Sequence, residues 1–212
     1  MLLLPELFKN MEKLHSSATY ENTTEDMDIE KEVMEQAPVD ANLTQRTSQA
    51  IATLASLAPS QFVHKLFKKL MRRLLEESQS GNVDSEKLCS LLTLSRALIA
   101  SKALDDASVS LLYRTMKPMI RNDENGSKVQ KQSYKVLAEI CRCHHSYAVG
   151  KDTLKELIDL LSGSAVTSQV SARSVRLQCT AILVDGFAAG SLKDMVSLVF
   201  MCMLGLNAFF LS

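Results

Sequence analysis

The chain has 212 residues, 46 % of them hydrophobic, with 24 basic and 24 acidic side chains. That length suits one domain or part of an elongated array, and the apolar fraction is enough to build a core. The net charge of zero excludes a uniformly basic or acidic chain, but residues 1–40 hold three basic and ten acidic side chains, a balance of −7 that leaves +7 on the rest.

There are four prolines, seven glycines and no tryptophan. Runs rich in Leu, Ala, Lys, Glu and Met favour helix, and no segment alternates as a strand would. The expected fold class is therefore all-α. The five cysteines (Cys89, Cys141, Cys143, Cys179 and Cys202) are odd in number and follow no framework of spacings. Most fall in apolar helical runs, which points to free thiols in a reducing compartment. The start, Met1-Leu-Leu-Leu-Pro-Glu, has no basic n-region and is too short for a secretory signal.

Taken in order, residues 5–18 read as a short amphipathic helix using Leu7, Phe8, Met11 and Leu14. Residues 19–40 turn acidic, with Glu21, Glu25, Asp26, Asp28, Glu30, Glu32 and Glu35, and read as a mobile linker or a loosely attached helix. Helices are then expected at 41–58, 60–77, 84–101, 105–121, 127–144, 147–162, 168–189 and 191–210. Pro59, Gly81, Gly126, Gly150 and Gly163 punctuate them. Asp84, Ser127 and Ser168 are candidate caps. Pro118 should kink or stop its helix.

Alternate helices begin near 41, 84, 127 and 168, a period of 41 to 43 residues. An internal match supports the period. Val129-Gln-Lys-Gln-Ser-Tyr-Lys-Val-Leu aligns with Val175-Arg-Leu-Gln-Cys-Thr-Ala-Ile-Leu, so that Ser133 stands opposite Cys179. In the first of these helices Val129, Ser133, Val136, Leu137, Ile140 and Cys141 form a stripe, with Lys128, Lys131, Lys135 and Arg142 on the other side. A turn containing Asp123, then Val129, with a basic residue at the helix start, resembles a HEAT-type repeat. The expected architecture over 41–194 is a HEAT/armadillo-type α-solenoid of antiparallel helix hairpins, because one hairpin cannot bury its own apolar faces. A compact helical bundle is the alternative. Residues 195–211 are seventeen in a row without charge. They read as an apolar C-terminal helix of a truncated repeat, with a membrane span as the competing reading. With no polar capping repeat after them, the chain is expected to be a fragment or a truncated isoform.

The helix at 60–77 is the best surface candidate. Phe62, Val63, Leu66, Phe67, Leu70, Met71, Leu74 and Leu75 form one face, and Lys65, Lys68, Lys69, Arg72 and Arg73 the other. A second basic group comprises Arg114, Lys117, Arg121, Lys128, Lys131 and Lys135, with Arg142 beyond it. Between 64 and 142 there are fifteen basic and nine acidic residues. Such faces suit RNA phosphates or an acidic protein, or are simply solvated. No aromatic side chains are interleaved, so single-strand stacking is not expected. Cys141-Arg-Cys-His-His145 invites a zinc reading. However, Cys143 leaves the face that Cys141 and His145 share, and the expectation is a helix terminus with no metal. Two Leu-x-x-Leu-Leu words, at 88–92 and 157–161, are what any amphipathic leucine-rich helix produces. No glycine-rich phosphate loop or nucleophile elbow occurs, and the four histidines have no evident catalytic partner, so neither catalysis nor a cofactor is expected.

The words Leu111-Leu-Tyr-Arg-Thr-Met-Lys-Pro-Met-Ile-Arg and Val129-Gln-Lys-Gln-Ser-Tyr-Lys-Val-Leu-Ala-Glu-Ile-Cys resemble the eukaryotic ribosomal RNA-processing protein twelve family, large HEAT-repeat proteins of the nucleolus. Ala172-Arg-Ser-Val-Arg-Leu-Gln-Cys fits the repeat that follows. The resemblance is best over 109–189 and extends to 41–194. It implies a non-catalytic scaffold in the nucleus and nucleolus that binds pre-ribosomal particle proteins and rRNA during rRNA processing and subunit export, alongside nuclear transport factors. The competing reading is a cytoplasmic HEAT or armadillo adaptor that binds a protein partner without touching RNA.

Overall fold

A computed structural model describes residues 33–80, 84–121, 126–163, 168–185 and 196. Eight helices occur among the described residues: α1 (Val33–Leu57), α2 (Ser60–Ser78), α3 (Ser85–Ala100), α4 (Asp106–Arg121), α5 (Gly126–Cys143), α6 (His145–Ala148), α7 (Lys151–Gly163) and α8 (Val170–Asp185). No strand occurs among the described residues. The fold is all-α, with helices packed against one another in a manner compatible with a HEAT-type solenoid. Helices α3, α5 and α8 begin at Ser85, Gly126 and Val170, 41 and 44 residues apart, close to the period read from the sequence. The chain divides into two compact units, Met1–Ala103 and Leu104–Ser212.

In the first unit α3 packs against both α1 and α2. A helix with two neighbours must be apolar over most of its surface. Leu88, Leu91, Leu92, Leu94, Ala97, Leu98 and Ile99 are accordingly all buried. The hydroxyls buried among them are satisfied locally, since Ser90, Thr93 and Ser95 each donate to the carbonyl four residues back. Asp84 caps α3 as expected, its carboxylate accepting from the amides of Glu86 and Lys87. Glu77, at the end of α2, accepts from the Asp84 amide at 3.3 Å and pairs with Lys87 Nζ at 2.8 Å. Beside Glu77, the Lys87 ammonium is held above its ordinary range, first by the hydrogen bond and then by the charge of that carboxylate. Beyond the end of α3 at Ala100, Lys102 has a φ of 56°, in the left-handed region. The Lys102 amide closes on the Ile99 carbonyl at 3.0 Å.

The second unit is built around α5, which contacts α4, α6 and, most extensively, α8. Its stripe of Val129, Ser133, Val136, Leu137, Ile140 and Cys141 is buried as expected. Gly126 opens the helix at φ +84°, a conformation strained for a residue with a Cβ. Gln130 is fully buried and bridges three segments. Its Nε2 donates to the Ile120 carbonyl at the end of α4, and its Oε1 accepts from the Gln169 amide ahead of α8, at 2.9 and 2.8 Å. The bond back to Ile120 ties the start of α5 to the end of α4. The α8 segment meets α5 at three polar points: the Gln169 amide at Gln130, the Ser168 hydroxyl at the Tyr134 hydroxyl, and the Cys179 thiol at the Tyr134 carbonyl.

The internal match is realised at the inward-facing pairs. Val129 and Val175, Gln130 and Arg176, Ser133 and Cys179, and Leu137 and Leu183 are all buried. Arg176 repeats the role of Gln130, donating from Nη1 to the Leu161 carbonyl near the end of α7 at 2.9 Å.

Several expectations need correction. Of the two readings of residues 19–40, a mobile linker or a loosely attached helix, residues 33–40 follow the second and belong to α1. Met, Glu, Gln and Ala in that stretch are helix formers, and acidic residues suit a helix start. Pro118 neither stops nor ends α4, which runs on to Arg121. Pro118 and Arg114 are both exposed, so the carbonyl that the proline leaves unbonded can turn to water. The segment 147–162 is not one helix, because the short turn α6 and Gly150 precede α7. Ser168 stands outside α8, and its hydroxyl meets the Tyr134 hydroxyl at 2.9 Å. The expected helices at 5–18 and 191–210 lie outside the described residues, apart from Val196.

Candidate basic interface

Helix α2 is sharply two-sided. Val63, Phe67, Leu70, Met71 and Leu74 are buried. This stripe is narrower than the eight residues expected: Phe62 and Leu66 are half-buried and Leu75 is exposed. Spacings of three and four residues then carry Lys65, Lys68, Lys69, Arg72 and Arg73 onto the opposite side, where all five are exposed. Among the described residues, Lys65, Lys68, Lys69 and Arg72 have no carboxylate within ion-pair distance. The helix's own carboxylate nearest its end, Glu77, is occupied by Lys87 and the Asp84 amide.

The second basic group belongs to the other unit and differs in kind. Arg114, Arg121 and Lys128 are exposed, while Lys117, Lys131 and Lys135 are half-buried. Lys117 Nζ pairs with Glu156 of α7 at 2.9 Å and lies 5.8 Å from the Tyr113 ring centroid. Such a cation on an aromatic face is held rather than free. Burial pushes the Tyr113 hydroxyl well above its ordinary value, with the Glu156 charge adding in the same direction. Lys128 and Lys135 are engaged in interactions of their own. Arg142 pairs with Glu139 one turn back at 3.2 Å.

The cysteine–histidine word at 141–145 is spread over different environments. Cys141 is buried, and burial pushes its thiol up to about 12. Cys143 is half-buried and donates to Glu139 Oε1 at 3.3 Å. No group of three His, Cys, Asp or Glu among the described residues is placed to hold a metal ion. No helix among the described residues is long and apolar enough to cross a membrane; the apolar run at 195–211 lies outside them.

Sequence reasoning missed the Lys117–Glu156 pair and the buried polar residues Gln130 and Arg176. The first had a faint signal, since the partners stand 39 residues apart, about one repeat. The other two had one as well: both follow the valine that opens the aligned words at 129 and 175.

No family model matches the chain. It is 28 % identical over 153 residues to the RRP12-like protein of Homo sapiens, a match that covers 71 % of this chain and 11 % of that protein. The chain thus spans about a tenth of the length of that relative, and the similarity marks a weak relation to the RRP12-like proteins.

Proposed function

We propose that the chain is a non-catalytic helical-repeat scaffold in ribosome biogenesis. It binds pre-ribosomal particles in the nucleus and nucleolus through its outer helix faces. The observation that carries this reading is the match to the RRP12-like protein along 71 % of the chain. The helical hairpins support it, because stacked hairpins offer extended outer surfaces to large partners. Contacts to particle proteins and rRNA, and cooperation with nuclear transport factors during subunit export, belong to the same proposal.

The test is sedimentation of a tagged full chain from nuclear extract. Co-migration with pre-ribosomal particles, and recovery of their proteins with the tag, is the expected result. A chain that stays at the top of the gradient and recovers only non-ribosomal proteins contradicts the proposal and favours an adaptor that makes no RNA contact.

A further inference from the structure

We infer that the exposed cationic side of α2 is a sequence-independent site for the phosphate backbone of double-stranded RNA, and that the α4–α5 cations are not part of it. The inference deepens the reading above by naming a ligand class, and it rests on that reading for the choice of RNA as the polyanion.

Three observations converge on α2. Lys65, Lys68, Lys69, Arg72 and Arg73 follow i, i+3, i+4, i+7 and i+8 spacing and are all exposed. They extend over about 12 Å of helix axis at 1.5 Å per residue, a row long enough to meet several phosphates at once. Lys65, Lys68, Lys69 and Arg72 form no ion pair among the described residues, although Glu76 follows Arg72 by one turn, so most of the row's charge is not already neutralised.

The apolar character of the face decides between ligands. A protein-binding helix offers a buried-on-binding anchor, commonly aromatic or aliphatic, and lysine is depleted at interface centres. Of the large apolar side chains of α2 only Leu75 is exposed, and it stands beyond the cations at 36 %. Phe67 is buried and Phe62 half-buried against the helix's inner side. A lysine-rich row without an anchor fits a polyanionic backbone better than a folded protein. The same missing aromatic platform disfavours single strands, whose bases need rings to stack on. Duplex RNA presents phosphate and 2′-hydroxyl outward and is bound largely by shape.

The α4–α5 group is broken up, with only Arg114, Arg121 and Lys128 of the six exposed. Lys117 is committed to Glu156 and to the Tyr113 ring, and Lys131 and Lys135 are half-buried.

The test measures binding of the full chain to a 20-base-pair RNA duplex of arbitrary sequence and to a single strand of equal length, each across a salt series. Two variants with helicity checked by circular dichroism are compared: Lys65→Gln/Lys68→Gln/Lys69→Gln/Arg72→Gln, and Arg114→Gln/Arg121→Gln/Lys131→Gln. The α2 variant is expected to weaken duplex binding at least about tenfold at 0.1 M salt, and to flatten the slope of log K against log salt by about 2 to 4. The α4–α5 variant should stay within about twofold, with the duplex bound more tightly than the single strand. Equal losses in both variants, an unaffected α2 variant, a preference for single strands, or binding of an acidic peptide but no RNA would each overturn the inference. The sedimentation test is read separately. Particle association without duplex binding removes this inference and leaves the scaffold reading standing, whereas duplex binding without particle association does the reverse.

Discussion

Two buried side chains show what single residues contribute here. Gln130 satisfies the Ile120 carbonyl and the Gln169 amide at once, in a place water does not reach. Gln130→Met keeps most of the volume and leaves both backbone groups unpaired. It should lower unfolding free energy by about 2–3 kcal/mol, read from the urea midpoint at unchanged slope; a loss below about 0.5 kcal/mol would mean the bridge contributes little. Cys141 and Cys179 are a second case. Burial holds both thiols in the neutral form, Cys141 at about 12 against an ordinary 9.0. Above pH 9 the unfolded chain gives up a proton that the folded chain keeps. The stabilisation is therefore whole below pH 9 and drains away as pH rises toward 12. Urea midpoints at pH 8 and 10.5 should fall more in the native chain than in Cys141→Ala. At pH 8, peptide-level mass spectrometry after brief alkylation should find Cys89 and Cys143 modified well ahead of Cys141 and Cys179.

At the level of elements, what could be read from residues was whatever depends on short-range chemistry. The α5 stripe follows from apolar spacing, the left-handed Gly126 from its lack of a Cβ, and the Asp84 cap from a carboxylate ahead of an apolar run. What escaped depends on a second element arriving from about forty residues away. Lys117 looked like part of a free basic face until Glu156 of α7 came beside it. Ser168 looked like a cap until the Tyr134 hydroxyl claimed it. The role of Gln130 could not be read, because nothing local reveals the Gln169 amide. Helix α3 carries one local cost of its own: it closes on Lys102 rather than glycine, at φ 56°. Lys102→Gly should relieve that strain and raise stability by about 0.5–1 kcal/mol, visible as a melting temperature higher by a few degrees. A fall instead would show that the Lys102 side chain contributes something its backbone angle conceals.

The whole molecule is two units, each organised by one central helix: α3 between α1 and α2, and α5 among α4, α6 and α8. Repeat proteins gain stability from each element and its nearest neighbours, so damage spreads along contacts before it spreads along sequence. Leu137, fully buried in α5, and Leu92, fully buried in α3, probe the two centres separately. Leu137→Ala and Leu92→Ala should each cost about 2–5 kcal/mol in the unit concerned. Hydrogen exchange followed by mass spectrometry reads where that loss falls. Leu137→Ala should accelerate exchange in α4, α5 and α8 by at least about tenfold, since 1.4 kcal/mol already corresponds to a factor of ten, while α2 and α3 change far less. Leu92→Ala should give the reverse pattern, with α1 and α2 following α3. If either substitution raised exchange equally from 45 to 185, the chain would unfold as one cooperative body and the nearest-neighbour account would be wrong. The distinction bears on function because a scaffold of separately stable units can adjust one part to a partner while the other holds its shape. In that case the exposed row on α2 would be presented by the first unit even when the second is perturbed, so Leu137→Ala should leave duplex RNA affinity within about twofold of the native chain.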